Sequence, residues 1–329
     1  MKDPLALSKG YSCKDVAETT EQGPDSLLSV HFRYPRYRLL EVNTHAAMAK
    51  NARSTRAVPT DIFLREVEND PASPLYMGEN CPGMSSHTKH KDSDALIHAR
   101  LELRWPALAL AREMLAKNVH KQDVNNLLDL WLWTDQVCTG DRTGWLNFVN
   151  QRDNTGASPE LQVIANAVRG VVLPEVQSTY LPPVGRWHLP FITRREKSSY
   201  SVGQLAMISA GRCASVSYVP PGSKEPDPIK DAERAVKMLT SDPIHESPFE
   251  HIAIYLGDPS VKYGKYYGWC SLRTLMESRA PALGVEYTVG TTSELYVRDF
   301  TRSHRLPPRR APLSDLLEMY MAAPKHLRP

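Results

Sequence analysis

Two histidines and two glutamates fall within the seven residues His245-Glu246-Ser247-Pro248-Phe249-Glu250-His251. Histidines four apart share a helix face and can hold zinc. These are six apart, which places them about 120° from one another around a helix, so a helical two-histidine zinc site is excluded. The same residues spell a capping box, with Ser247 at the N-cap, Pro248 at the first position and Glu250 at the third. The β-leaning run Ile252-Ala253-Ile254-Tyr255-Leu256 follows, so a short turn should feed a strand. Such a turn also presents free N–H groups to an anion. A second unusual stretch is NTHAAMAKNARSTRAVP (43–59), where Lys50, Arg53 and Arg56 alternate with Ser54, Thr55 and small residues. Guanidinium forks and hydroxyls together suit phosphate; a solvated basic loop accounts for the composition equally well. His87, His90 and His98 read as surface histidines, and no metal site is expected.

These groups need elements to position them. Residues 66–92 read as a long loop rich in Pro, Gly, Ser and Asn. From Asp92 to Asn118 the apolar spacing suits one or two helices, with Pro106 as a break or restart. KQDVNNLLDLWLWTDQVC (121–138) continues helical through Leu127, Leu128, Trp131 and Trp133. Ser158 followed by Pro159 opens a helix over 158–176, and further helices are expected at about 229–240 and over 313–323. The Pro- and Arg-containing segment 177–204 marks a junction, and the pattern beyond it turns small and apolar over 205–219.

The chain of 329 residues can bury a sizeable core. Its net charge of +3 advertises neither nucleic acid nor membrane, and RSHRLPPRR (302–310) reads as a solvated tail. The five cysteines, Cys13, Cys81, Cys138, Cys213 and Cys270, are scattered without a C-x-x-C pair, which fits a reducing cytoplasm rather than a disulfide framework. There is no signal-peptide run and no apolar stretch of membrane-spanning length. G-x-S-x-G, P-loop and G-x-G-x-x-G patterns are absent, which removes the common hydrolase, kinase and Rossmann signatures.

Taken together, SAGRCASVSY (209–218), HESPFEH (245–251), THAAMAKNARSTR (44–56) and WTDQVCTGDRTGWLNFVNQRDNTGASPEL (133–161) resemble the blocks of the flavin-dependent thymidylate synthases. The third of these matches the signature R-H-R-x-x-S-x-N-E-x-S-x-R through His45, Asn51, Ser54 and Arg56; the fourth matches through Trp133, Asn147, Phe148, Arg152 and Glu160. The HESPFEH block comes last here, followed by GWCSLR (268–273), so the chain resembles a circularly permuted member of the kind found in phage and some bacteria. The resemblance covers roughly residues 30 to 280, leaving 1–29 and 281–329 as N- and C-terminal extensions.

The resemblance implies an α+β fold with a central, mostly antiparallel sheet flanked by helices, permuted about the 177–204 junction. It implies transfer of a one-carbon unit from methylenetetrahydrofolate to carbon 5 of a pyrimidine mononucleotide (dUMP, dCMP or UMP). FAD carries the hydride, NADPH reduces it, and no cysteine nucleophile takes part. By position, His45, Asn147, Ser217, Ser247 and Glu250 would contact flavin, while Arg53, Ser54, Arg56 and Arg152 would hold the nucleotide, with Arg152 and Ser54 nearest the chemistry. Sites in this family form between subunits of a homotetramer; a hetero-oligomer with a paralogue is the other assembly, and the cytoplasm (of a host, if phage-encoded) is the expected compartment. Several positions depart from the pattern: Ala46, Ala49 and Ala52 within the signature, Asn126 where an arginine is usual, Ser215 where an arginine is usual, and Ser158 for glutamine. Each lost cation near a nucleotide should weaken binding by about 1–3 kcal/mol, and Lys50, Arg53 and Arg142 are the cations available to compensate. A catalytically reduced paralogue serving as a structural or regulatory subunit is the alternative these departures leave open.

Overall fold

The computed structural model describes residues 10–18, 26–172, 182–217, 226–239, 241, 245–277, 287–289 and 295–297. It is an α+β protein whose principal sheet is antiparallel in the order β1-β2-β4-β3, from β1 (Ser12–Glu18), β2 (Leu27–Pro35), β3 (Ala49–Ala52) and β4 (Trp133–Asp141). The extension expected over 1–29 therefore contributes a whole edge strand and the start of β2, and the boundary at residue 30 falls inside a sheet strand.

Successive strand side chains point to opposite faces, and the two faces of this sheet differ in chemistry. Leu28, Val30, Phe32, Tyr34 and Cys138 join an apolar core with Trp145, Phe148 and Val149 of α6 (Arg142–Arg152) and Leu161, Ile164 and Val168 of α7 (Pro159–Val172). The opposite face carries Ser29, His31, Asp135 and Thr139, all buried under the second half of the chain. Between β3 and β4, α2 (Thr60–Asn69), α3 (Ser93–Glu102), α4 (Arg104–Ala116) and α5 (Lys121–Leu127) form a helical appendage, with α1 (Leu39–Asn43) preceding β3. Phe63, Val67, Leu108, Ala111, Val124 and Leu128 make its own small core. Pro106 lies in the first turn of α4, where its missing N–H is harmless, so it restarts a helix.

The helix expected across 121–138 is a correction. α5 stops at Leu127, and Trp133 opens β4, which is buried along its whole length. Its polar residues are the reason the strand pattern was hidden: several find partners outside the strand, as Thr139 does in Ser29 and His251, and Asp141 in the N–H groups of Gly144 and Tyr267, both at 2.8 Å.

The second half covers the polar sheet face. β5 (Trp187–His188) precedes α8 (Arg194–Ser199), α9 (Val202–Ser215) and α10 (Pro228–Leu239). The small, apolar pattern beyond the junction folds as α9, capped by a reciprocal Ser201/Gln204 box. Its small residues serve helix packing, since a Cβ on Gly211 would stand 1.8 Å from the carbonyl oxygen of Asp231 on α10. HESPFEH forms a 3-10 turn, Ser247–His251, and then β6 (Ala253–Tyr255). The expected Ser247/Glu250 capping box does not form. Glu250 faces Arg273 at 3.1 Å and Lys265 at 3.7 Å, and two cations outweigh one backbone N–H. β7 (Lys262–Tyr263) and β8 (Tyr266–Tyr267) form a hairpin, β9 (Trp269–Ser271) completes a β5-β6-β9 sheet, and α11 (Leu272–Glu277) follows. β10 (Tyr287–Val289) and β11 (Leu295–Val297) pair antiparallel. The expected 313–323 helix and the 302–310 basic run lie outside the described residues.

Candidate functional site

Three segments remote in sequence are laced together at the end of β3. Asn51, buried in that strand, donates through Nδ2 to the Cys213 carbonyl at 2.6 Å and to Ser217 Oγ at 3.1 Å. Its Oδ1 lies 3.5 Å from the Ser247 hydroxyl, and the Ser54 N–H donates to the Ser217 carbonyl at 3.1 Å. The turn after β3 is held in turn by α5. Asn125 Nδ2 donates to the carbonyls of Thr55 at 2.7 Å and Val58 at 3.1 Å, and Lys121 Nζ to that of Ala57 at 3.2 Å.

These ties frame a cleft of about 570 Å³, within the range of small-molecule sites. Asn51, Ser54, Arg56 and Ala57 form one wall; His120, Lys121 and Gln122 form another; Ala214, Ser217 and Met238 form the third; His245, Ser247 and Pro248 close it. No carboxylate lines it among the described residues. Arg56 and Lys121 therefore leave a net positive field facing hydroxyl and amide donors, the environment an oxyanion selects.

The remaining candidates lie elsewhere in the chain. Arg152 donates through Nε to His45 Nε2 at 2.9 Å and through Nη2 to the Glu41 carbonyl and Thr44 Oγ1, both at 3.1 Å. His45 also meets the Phe148 ring edge-on, with centroids 4.9 Å apart. Burial, then the charges of Arg152 and Lys50, lower its pKa to about 4, so the ring is neutral and, accepting at Nε2, carries its proton on Nδ1. Asn147 is exposed on α6 and accepts from Gln151, and Glu250 is held by its two cations. Arg53 is buried over the Phe63 ring and ion-paired with Glu66.

One chain thus brings together Ser54, Arg56, Ser217 and Ser247, and does not bring to them His45, Arg53, Asn147, Arg152 or Glu250. Of the cations considered as compensators, Lys50 is engaged by the carbonyls of Asn43 and His45, Arg53 by Glu66, and Arg142 opens α6; none lines the cleft. Lys121 lines it instead, beside His120 and His245; sequence reasoning assigned His245 to no ligand and missed Lys121 and His120. Their signal was the adjacent His-Lys pair opening α5, legible only once α5 is known to pack on the 54–58 turn. No grouping of three or more His, Cys, Asp or Glu side chains suited to a metal occurs among the described residues, and no described helix is long and apolar enough to cross a membrane.

No protein-family model matches the chain, and no curated protein matches it. Among solved structures, it is similar to a UMP/dUMP methylase, PolB from Streptomyces cacaoi, bound with 5-Br UMP. The TM-score is 0.41 at 10% identity, over 49% of this chain and 87% of that one. A likeness this distant carries no functional weight, and the reading of the cleft rests on this chain's own residues.

Proposed function

We propose that the chain is a flavin-dependent enzyme that transfers a one-carbon unit to carbon 5 of a pyrimidine mononucleotide. The observation that carries this reading is the convergence of Asn51, Ser54 and Arg56 with Ser217 and Ser247. Those residues come from three separate blocks of the flavin-dependent thymidylate synthase resemblance, and they meet around one cleft that no carboxylate lines among the described residues. Arg56 supplies an exposed guanidinium for the nucleotide's phosphate, and Ser54 a hydroxyl beside it.

The donor set of hydroxyls, an amide and cations also fits the ribityl and phosphate oxygens of FAD, with Ser217 and Ser247 as the groups that would hold it. Bound there, a flavin supplies hydride, drawn from NADPH, for reduction of the carbon delivered by methylenetetrahydrofolate. His45, Asn147, Arg152 and Glu250 reach such a ligand only from a second copy of the chain or from a paralogous subunit, as the resemblance implies. A route without a cysteine nucleophile suits the thiols. Burial raises the pKa of Cys138 and Cys213 and pushes Cys270 up to about 12, and no cysteine lines the cleft among the described residues. Thiolate chemistry needs the opposite environment.

A second reading, a catalytically reduced partner subunit, is favoured by one observation. Arg152 donates to His45 Nε2, the Glu41 carbonyl and the Thr44 hydroxyl, so its guanidinium is engaged within the chain. Purified protein should carry flavin absorbance and release tritium from carbon 5 of labelled dUMP, dCMP or UMP when given methylenetetrahydrofolate and NADPH. Colourless protein that takes up no added flavin and releases no tritium refutes the enzyme and leaves the partner subunit.

A further inference from the structure

We infer that His120 is a phosphate-binding residue of the cleft whose imidazole is held in the donating tautomer by its own backbone. The inference rests on the nucleotide reading of the site and assigns a residue that the resemblance does not. The backbone N–H of Gln122 donates to His120 Nδ1 at 3.3 Å. A neutral imidazole has one protonated and one bare nitrogen. Because Nδ1 accepts, the proton sits on Nε2, and the ring offers a fixed N–H donor.

That donor has a suitable address. His120 and Lys121 line the same cleft as Arg56, and Lys121 ties the opening of α5 to the Ala57 carbonyl at 3.2 Å. The α5 wall and the 54–57 turn are therefore joined at the point where Arg56 and Lys121 face the cavity. A phosphate dianion between those walls meets a guanidinium, an ammonium and an N–H donor, with no carboxylate among the described lining residues to compete. The imidazole is exposed, so orienting it costs no burial of a polar group.

The two roles of the ring separate by substitution. His120→Asn keeps a side-chain acceptor for the Gln122 N–H, as asparagine is a favoured cap, but removes the Nε2 donor, since its own amide nitrogen ends short of that atom's reach. His120→Ala removes both. Titration of the full-length wild type and both variants with dUMP, by calorimetry, is paired with thermal unfolding of each without nucleotide. A hydrogen bond to a charged group contributes enough that His120→Asn should weaken dUMP binding about tenfold or more with an unchanged unfolding midpoint. Equal affinity of His120→Asn and wild type overturns the inference and leaves the nucleotide reading standing. So does an affinity loss in His120→Asn accompanied by the same midpoint fall as His120→Ala, because the ring would then act only as a cap. Wild-type protein that binds none of dUMP, dCMP and UMP overturns both.

Discussion

Asn51 and Cys213 stand 162 residues apart in the chain and are joined by a 2.6 Å hydrogen bond from side-chain amide to carbonyl. With the second bond from the same nitrogen to Ser217, this fixes the end of α9 against β3 and so sets the cleft's width. Asn51→Ala should lower stability by about 1–3 kcal/mol, because a buried carbonyl loses its donor. Asn51→Asp should cost at least as much, since a carboxylate cannot donate to Cys213. Urea unfolding of the two variants checks this; an unchanged midpoint in both means the two halves are held together by other contacts.

Two glycines of α9 should respond oppositely to alanine. At Gly211 a Cβ would sit 1.8 Å from the Asp231 carbonyl, whereas at Gly203 nothing lies within 4 Å. Gly211→Ala must push α9 and α10 apart, at a cost of about 1–3 kcal/mol or more. Gly203→Ala should be neutral or stabilising by up to about 1 kcal/mol, as alanine loses less backbone freedom on folding. Denaturant midpoints of the two variants should move in opposite directions or leave Gly203→Ala unmoved.

What the sequence made legible follows from where each signal is local. The α7 and α10 helices, the restart at Pro106 and the strand after HESPFEH carry their period or breaker in the chain itself. β4 was hidden because its buried Thr139 and Asp141 take their partners from residues more than a hundred positions away. Ser247 and Glu250 have the right spacing for a capping box, yet Arg273 and Lys265 draw the glutamate away, a competition invisible in a seven-residue window. The cleft shows the same division. Ser54 and Arg56 were readable as a phosphate-type turn, while Lys121 and His120 belong to the site only through the Asn125 bonds that bring α5 to that turn.

Arg56 offers a clean functional test because its side chain is exposed. Arg56→Ala should leave the unfolding midpoint within about 0.5 kcal/mol of wild type while weakening mononucleotide binding about tenfold or more. Calorimetric titration with dUMP reads the second quantity. Retained affinity would remove Arg56 from the site and with it the main reason for placing phosphate there.

Stability should fall on mild acidification. His188 and His251 are fully buried, linked through Ser29 and Thr139, and burial lowers both pKa values from 6.5 to about 3, with further lowering of His188 by His251 and Lys197 and of His251 by Lys265. The unfolded chain therefore binds protons that the folded chain refuses between these values. Their contribution is fully present above about pH 6.5 and is lost as pH falls from there toward 3, with a limiting slope of about 1.4 kcal/mol per pH unit for each histidine. Urea midpoints measured between pH 7 and pH 5 should decline, and His188→Gln with His251→Gln should flatten that decline. A wild-type profile already flat over this range means the rings accept protons without loss of the fold.

Arg152 and His45 give a spectroscopic test independent of turnover. The low pKa of His45, about 4, comes first from burial, then from the Arg152 charge, then from Lys50. Arg152→Ala removes the second cause and the donor at Nε2 but leaves the ring packed on Phe148. Its titration, followed by NMR of the imidazole carbons, should therefore move upward from about 4 yet stay below 6.5. No movement would show that burial alone holds the ring neutral. A return to the ordinary value would show that Arg152 also keeps the pocket closed. If the chain is the enzyme proposed, the same variant should lose tritium release because the resemblance places Arg152 at the nucleotide of a neighbouring copy. Unchanged release together with a shifted His45 titration would assign the pair to holding α6 against the 41–45 segment and nothing more.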